Sequence, residues 1–155
     1  MARGQGTTGD RRPAPALTVA IRDRFEGEAV LAAAAALGLE IVLVTAPGLA
    51  RFAGAGFCAA LSEVLGRPVG VDCGREPGLA LAALRAGAPC VRLEAPAALF
   101  ARVADIARQL GAELVREWPQ PTLRLAPGET PPAALRRAAA ERGAGEPSSP
   151  AGERL

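Results

Sequence analysis

The chain alternates between short apolar runs and longer stretches in which apolar residues recur every three or four positions. Short apolar runs predict β-strands, and they occupy 17–21, 40–45, 68–72, 90–93 and 113–116. Apolar residues spaced as on one helix face predict α-helices between these runs, at 26–37, 56–65, 76–86 and 96–110. Glycine favours the end of a helix, and it follows the four helices as Gly38, Gly66, Gly87 and Gly111. Repeated strand–helix units of this kind predict an α/β fold.

Short connections between these units favour parallel strands joined by right-handed crossovers. The predicted architecture is a small single sheet of about five mainly parallel strands with helices on both faces, flavodoxin-like and doubly wound. The alternative is half of a (β/α)8 barrel, because a closed barrel needs eight strands. A half barrel would complete itself by dimerising, so a homodimer is compatible with the pattern. A further run at 122–125 predicts a sixth strand at one edge of the sheet.

Composition divides the chain into three parts. Residues 1–15 are rich in Gly, Arg and Pro and predict a flexible segment, whereas 16–126 carry the α/β pattern. Residues 127–155 form a tail rich in Pro and Gly, with a short basic helix predicted at 133–142. Leu135 is its one large apolar residue before the terminal Leu155. We therefore expect 17–125 to fold without either end.

Missing residue types exclude several chemistries. The 155 residues include no His, Lys or Tyr, and all 18 basic residues are Arg. Without Lys there is no Schiff-base nucleophile and no P-loop lysine. Without His there is no Ser-His or Cys-His dyad. A carboxylate is then the remaining candidate for a general base.

The distribution of charged, apolar and cysteine residues bears on location and partners. Three cysteines without a CxxC pair indicate a reducing compartment. No apolar run approaches the roughly 18 residues of a membrane span, and no apolar leader precedes the first strand. A cytoplasmic protein with no membrane partner is expected. Arg136, Arg137 and Arg142 lack interleaved aromatic residues, so no nucleic-acid interface is predicted.

Three carboxylates are predicted at one edge of the sheet. The carboxyl ends of parallel strands lie at the same edge, and Asp23, Asp72 and Glu94 come at or directly after strand ends. Such a set could hold Mg²⁺, which binds through a few oxygen ligands. The favoured interpretation is that Asp23 and Glu94 begin the next helix, where an acidic side chain is stabilising. No cofactor or metal site is therefore predicted, and Mg²⁺ is the metal that the set would suit.

The same edge carries the predicted ligand site, made by Thr45, Gly48, Asp72, Gly74 and Arg75. A glycine at 74 permits a tight turn from strand to helix, and the N–H groups that begin a helix attract anions. An arginine beside them could pair with a phosphate or carboxylate. Cys73 lies within this loop and is expected to be the most accessible of the three thiols.

Two functions from different classes fit these features. The first is a binding or regulatory module whose partner is an anionic small molecule or a protein at this edge. The alternative is an enzyme acting on a small phosphorylated or carboxylated metabolite, with Asp72 as base and Arg75 as anion anchor. The missing His, Lys and Tyr side chains favour the first.

Overall fold

A computed structural model describes residues 16–119 and 122–144. The strands are β1 (Leu17–Ile21), β2 (Ile41–Thr45), β3 (Val69–Asp72), β4 (Cys90–Arg92) and β5 (Glu113–Val115). The helices are α1 (Arg24–Leu37), α2 (Leu49–Ala53), α3 (Ala55–Leu65), α4 (Pro77–Arg85), α5 (Ala97–Gln109) and α6 (Pro131–Ala144). Within these ranges no helix combines the length and the apolar character needed to cross a bilayer.

The strands form one sheet in the order β1-β2-β3-β4-β5, and every pair is parallel. The predicted α/β class with a single sheet of five parallel strands is therefore confirmed. Each strand pairs with the next one along the chain, an order that half of a (β/α)8 barrel also has. The alternative architecture thus stays open beside the doubly wound one.

The helices that cover the sheet contact one another in a continuous series, α6–α1–α3–α4–α5. Alternate strand residues share a face of the sheet. Val19, Leu43 and Val69 pack with buried residues of α1, α3 and α6. Val71 and Val91 pack with buried residues of α3, α4 and α5. This layer of helices over one face is a second feature shared with a half barrel.

Helix α6 lies beyond the range 17–125 that the sequence predicts to fold without either end, and it packs on the core. Leu135 is 1% exposed, and it packs with Ala134 and Ala138 in the same cluster as Val30 and Ala33 of α1. Alanines on both helices allow the close approach that buries a single leucine completely. The helix predicted at 133–142 is therefore present over a longer range and belongs to the core.

Residues 116–119 and 122–124, which we name the crossing segment, run from β5 at one edge of the sheet to β1 at the other. Arg116 donates a hydrogen bond to Ala95 O (2.8 Å) at its start. At its end Leu123 forms a parallel bridge to Val19 and exchanges backbone hydrogen bonds with Thr18 O (2.8 Å) and Ala20 N (2.9 Å). The predicted edge strand at 122–125 is represented by this bridge.

Trp118 of the crossing segment packs against the sheet between these two edges. Its indole Cη2 would lie 2.6 Å from a Cβ built on Gly70, in the central strand β3. Gly70 pairs with Val44 of β2, whose side chain lies near the same position. Both residues alternate with the helix-facing Leu43, Val69 and Val71, so the crossing segment covers the face opposite the helices.

Candidate functional site

A cleft of about 500 Å³ lies between the carboxyl ends of β2, β3 and β4 and the crossing segment. Its lining residues come from the strand ends, the turns that follow them and the crossing segment. They are Thr45, Pro47, Gly48, Asp72, Gly74, Arg92, Glu117, Trp118, Thr122 and Arg124. Ligands of parallel α/β sheets commonly bind at this edge, because strand ends and helix starts meet there.

Asp72, the last residue of β3, is held in one orientation. Its Oδ1 accepts hydrogen bonds from the Gly74 N–H (3.0 Å) and from Arg92 Nη1 (3.0 Å). Its own backbone N–H donates to Thr45 Oγ1 (3.0 Å). The turn formed by the Gly74 hydrogen bond is the kind that aspartate favours after a strand, so the local sequence explains the conformation.

Arg92 and Asp72 form an ion pair within the cleft wall. Register brings them together, because Asp72 pairs with Arg92 across β3 and β4. The Asp72 side chain is 7% exposed and the Arg92 side chain 24% exposed. Arginine carries five N–H donors, and only one of them is used by Asp72. Arg92 therefore balances the buried carboxylate and still has donors for a second acceptor.

The crossing segment adds charged residues that the sequence analysis did not connect with the site. Arg124 and Glu117 are exposed and line the cleft. Within the described part of the chain, neither side chain forms an ion pair or a hydrogen bond. Their positions depend on the return of the chain from β5 to β1, and no local sequence pattern indicates that path.

Four of the five predicted site residues come together at this cleft: Thr45, Gly48, Asp72 and Gly74 line it, while Arg75 lies beside it. Thr45 is fully buried, and its hydroxyl accepts the Asp72 N–H. Arg75 lines an adjacent cleft of about 460 Å³ that shares Gly48, Asp72 and Gly74 with the first. The predicted residues are thus neighbours.

Arg75 is already paired, since its Nη2 donates to Glu94 Oε1 at 2.9 Å. This hydrogen bond lowers the pKa of Glu94 and raises the pKa of Arg75. Both side chains are more than half exposed, and exposed ion pairs are weak. An incoming anion would compete with Glu94 for this guanidinium.

The three carboxylates considered for Mg²⁺ have separate partners. Asp23 Oδ1 accepts the Glu26 N–H (2.8 Å) and caps the start of α1, which confirms the helix-start interpretation for this residue. Glu94 pairs with Arg75, and Asp72 pairs with Arg92. Among residues 16–119 and 122–144, no group of three or more His, Cys, Asp and Glu side chains is placed to hold a metal ion.

Cys73 contradicts the expectation that it is the most accessible thiol. It is 2% exposed, Cys58 is fully buried, and Cys90 is only partly buried. Burial, reinforced by the negative charge of Asp72, raises the pKa of the Cys73 thiol to about 12. A thiol with this pKa is almost entirely protonated at neutral pH, so the structure does not favour Cys73 as a nucleophile.

Trp118 contains a buried polar atom that forms no hydrogen bond with the described residues. Its indole Nε1 is, within the described ranges, the one buried side-chain nitrogen or oxygen that lacks a hydrogen-bond partner. A buried donor without a partner costs about 1–3 kcal/mol. The ring is therefore held at the cleft by its contact with the sheet and not by a polar contact.

Comparison of the sequence with models of known protein families and with curated proteins finds no match.

Proposed function

We propose that this protein is a small binding module that takes an anionic small molecule in the cleft between the strand ends and the crossing segment. The observation that carries the proposal is the pair of arginine side chains that line the cleft, Arg92 from β4 and Arg124 from the crossing segment. Arg92 has unused donors, and Arg124 has no ion pair within the described residues. Guanidinium groups bind phosphate and carboxylate oxygens through two parallel hydrogen bonds.

Charge balance within the cleft supports the same conclusion. Asp72 is neutralised by Arg92 at 3.0 Å, which leaves Arg124 and Glu117 as opposed charges. An anion at Arg124 would be attracted by that residue and repelled by Glu117. Substitutions that neutralise Arg124 and Glu117 should therefore have opposite effects on anion binding, although both residues lie on the same segment and both are exposed.

Titration with inorganic phosphate, followed by the fluorescence of the single tryptophan, tests the proposal. Arg124→Gln is expected to weaken binding roughly tenfold or more, on the scale of a charge-assisted hydrogen bond. Glu117→Gln is expected to strengthen it. Arg85→Gln is the matched control, because Arg85 is exposed at the far end of α4 and does not line either cleft.

Arg75 provides a second arm of the same experiment. If Arg75→Ala weakens phosphate binding and Arg124→Gln does not, the anion lies in the adjacent cleft and our placement is wrong. If wild-type protein binds neither phosphate nor a small carboxylate at millimolar concentration, the anion proposal fails. A protein partner at this edge would then be the better hypothesis.

A catalytic role is the second candidate function. One oxygen of Asp72 forms no hydrogen bond with the described residues, so this carboxylate could accept a proton from a bound phosphorylated or carboxylated metabolite. Incubation of candidate metabolites in D2O would reveal exchange of carbon-bound hydrogen. Exchange that Asp72→Asn abolishes would favour an enzyme over a binding module.

A further inference from the structure

We infer that the ligand of this cleft is a hydroxylated anion: a short carbon skeleton that carries a phosphate or carboxylate group for Arg124 and a hydroxyl group for Asp72. This inference rests on the proposed function, since it assumes that an anion binds in the cleft. The inference specifies which functional group the ligand carries in addition to its anionic group. The observation behind it is the state of the second oxygen of Asp72.

The two oxygens of Asp72 are not equivalent. Oδ1 accepts both hydrogen bonds that reach this carboxylate, from Gly74 N and Arg92 Nη1. Oδ2 accepts none from the described residues. The one buried side-chain nitrogen or oxygen without a partner in those residues is Trp118 Nε1, so Oδ2 must retain some exposure to solvent. Because Asp72 lines both this cleft and the adjacent one, Oδ2 is an acceptor that a ligand at this edge of the sheet can reach.

An ionised carboxylate oxygen accepts hydrogen bonds and cannot donate them. An anion that carries no hydrogen-bond donor therefore gains nothing from Oδ2, whereas a molecule with a donor gains a hydrogen bond to a charged acceptor. Arg92 lies 3.0 Å from the same carboxylate, and its positive charge would repel an ammonium group placed there. A neutral hydroxyl donor suits this ion pair better.

The size of the cleft is compatible with one small molecule. A volume of about 500 Å³ is within the range of ligand sites in proteins. Pro47 and Trp118 contribute apolar surface beside the charged and hydroxyl-bearing residues of the lining. These residues can contact a carbon skeleton between its acidic group and its hydroxyl group.

Two matched pairs of probes test the inference by titration calorimetry of the full chain. Glycerol 3-phosphate is compared with propyl phosphate, and glycerate is compared with propionate, so that each pair shares a carbon skeleton and differs in its hydroxyl groups. We expect the hydroxylated member of the tighter-binding pair to bind roughly tenfold more tightly than its partner. The pair that binds more tightly shows whether the cleft prefers a phosphate or a carboxylate group.

Asp72→Asn is the decisive variant. An asparagine can keep the Oδ1 acceptor for Gly74 and Arg92 while it replaces Oδ2 by an amide donor. The hydroxyl preference should fall several-fold in this variant, because the ligand hydroxyl then meets a neutral amide instead of a charged acceptor, and propyl phosphate should bind at least as tightly as to wild type. Glu117→Gln, a carboxylate-to-amide change on the crossing segment, should keep the preference.

The outcomes separate the inference from the proposed function. If propyl phosphate or propionate binds but the hydroxylated partner binds no more tightly to wild type, the inference is wrong and the anion proposal stands. A preference that is undiminished in a folded Asp72→Asn protein also overturns the inference. If none of the four probes binds, both fail. The wild-type comparison decides even where Asp72→Asn does not fold.

Discussion

The contact between Gly70 and Trp118 shows how much one absent side chain can determine. A Cβ at position 70 would lie 2.6 Å from Trp118 Cη2 and 3.0 Å from its Cζ3, far inside the normal separation of carbon atoms. The glycine thus allows the indole to pack directly on the backbone of β3. Since Trp118 lines the cleft, this contact also positions part of the lining of the candidate site.

Gly70→Ala is expected to displace Trp118 and to destabilise the protein by about 1–3 kcal/mol, the cost of overpacking a core position. Urea denaturation followed by circular dichroism measures this change, and tryptophan emission reports the altered position of the ring. Gly78→Ala serves as the control, because nothing beyond its chain neighbours and the backbone of its own helix lies within 4 Å of the added Cβ. That change should be neutral or stabilise helix α4 by up to about 1 kcal/mol. Equal stabilities for the two variants would show that Trp118 does not rest on β3.

At the scale of secondary-structure elements, helix α6 contributes more to the core than its own sequence indicates. Its surface is mostly Ala and Arg, and Leu135 is the one large apolar side chain that it buries. The helix is held against α1 by that leucine and by Ala134 and Ala138. Arg137 forms an ion pair with Glu129 (3.0 Å). The hydrogen bond between the two side chains lowers the pKa of Glu129.

Leu135→Ala is expected to cost about 2–4 kcal/mol, within the range for truncating a buried leucine. Arg136→Ala, a change at the adjacent exposed position, should cost well under 1 kcal/mol. Both values come from urea denaturation. Truncation after residue 126 should lower stability at least as much as Leu135→Ala. A truncated chain as stable as the full one would instead support the expectation that 17–125 folds alone.

The elements that sequence analysis predicted correctly are those with a local signal. Strand β2 is a continuous apolar run, and Gly38 and Gly66 end their helices with positive φ angles of 64°. The short helix α2 was missed, because five residues carry no periodicity. The burial of Leu135 was missed because it depends on alanines of α1, about a hundred residues earlier in the chain.

The candidate site was predicted in part for the same reason. Asp72 and Gly74 lie at a strand end, and the strand end is visible in the sequence. Arg92 was placed in a strand, but its pairing with Asp72 requires the strand order. Arg124 and Trp118 reach the cleft only because the chain crosses the sheet after β5. The strand order and the path of the crossing segment both follow from long-range packing.

At the scale of the whole molecule, composition and burial together determine how the protein responds to alkali. The chain has no Lys, His or Tyr, and arginine side chains and carboxylates do not change charge between pH 8 and 11. The three cysteines are therefore the side chains that titrate in this interval. Burial raises the pKa of all three thiols above the ordinary 9.0, to about 12 for Cys73 and about 11 for Cys90.

We therefore expect the free energy of unfolding to fall as pH rises from 9 to 11. In this interval the unfolded chain loses thiol protons that the folded protein keeps, so the folded state binds more protons and rising pH favours unfolding. Each such thiol lowers the free energy of unfolding by about 1 kcal/mol per pH unit. Below pH 9 the thiols stay mostly protonated in both states, so they should not make stability vary with pH there. Urea denaturation at fixed pH, in the presence of a reductant, measures the slope of the free energy of unfolding against pH.

In Cys73→Ala this slope should be shallower by the contribution of one thiol, whatever the variant costs at neutral pH. A slope that is unchanged in Cys73→Ala would show that this thiol ionises as readily in the folded protein as in the unfolded chain, and hence that it is not buried.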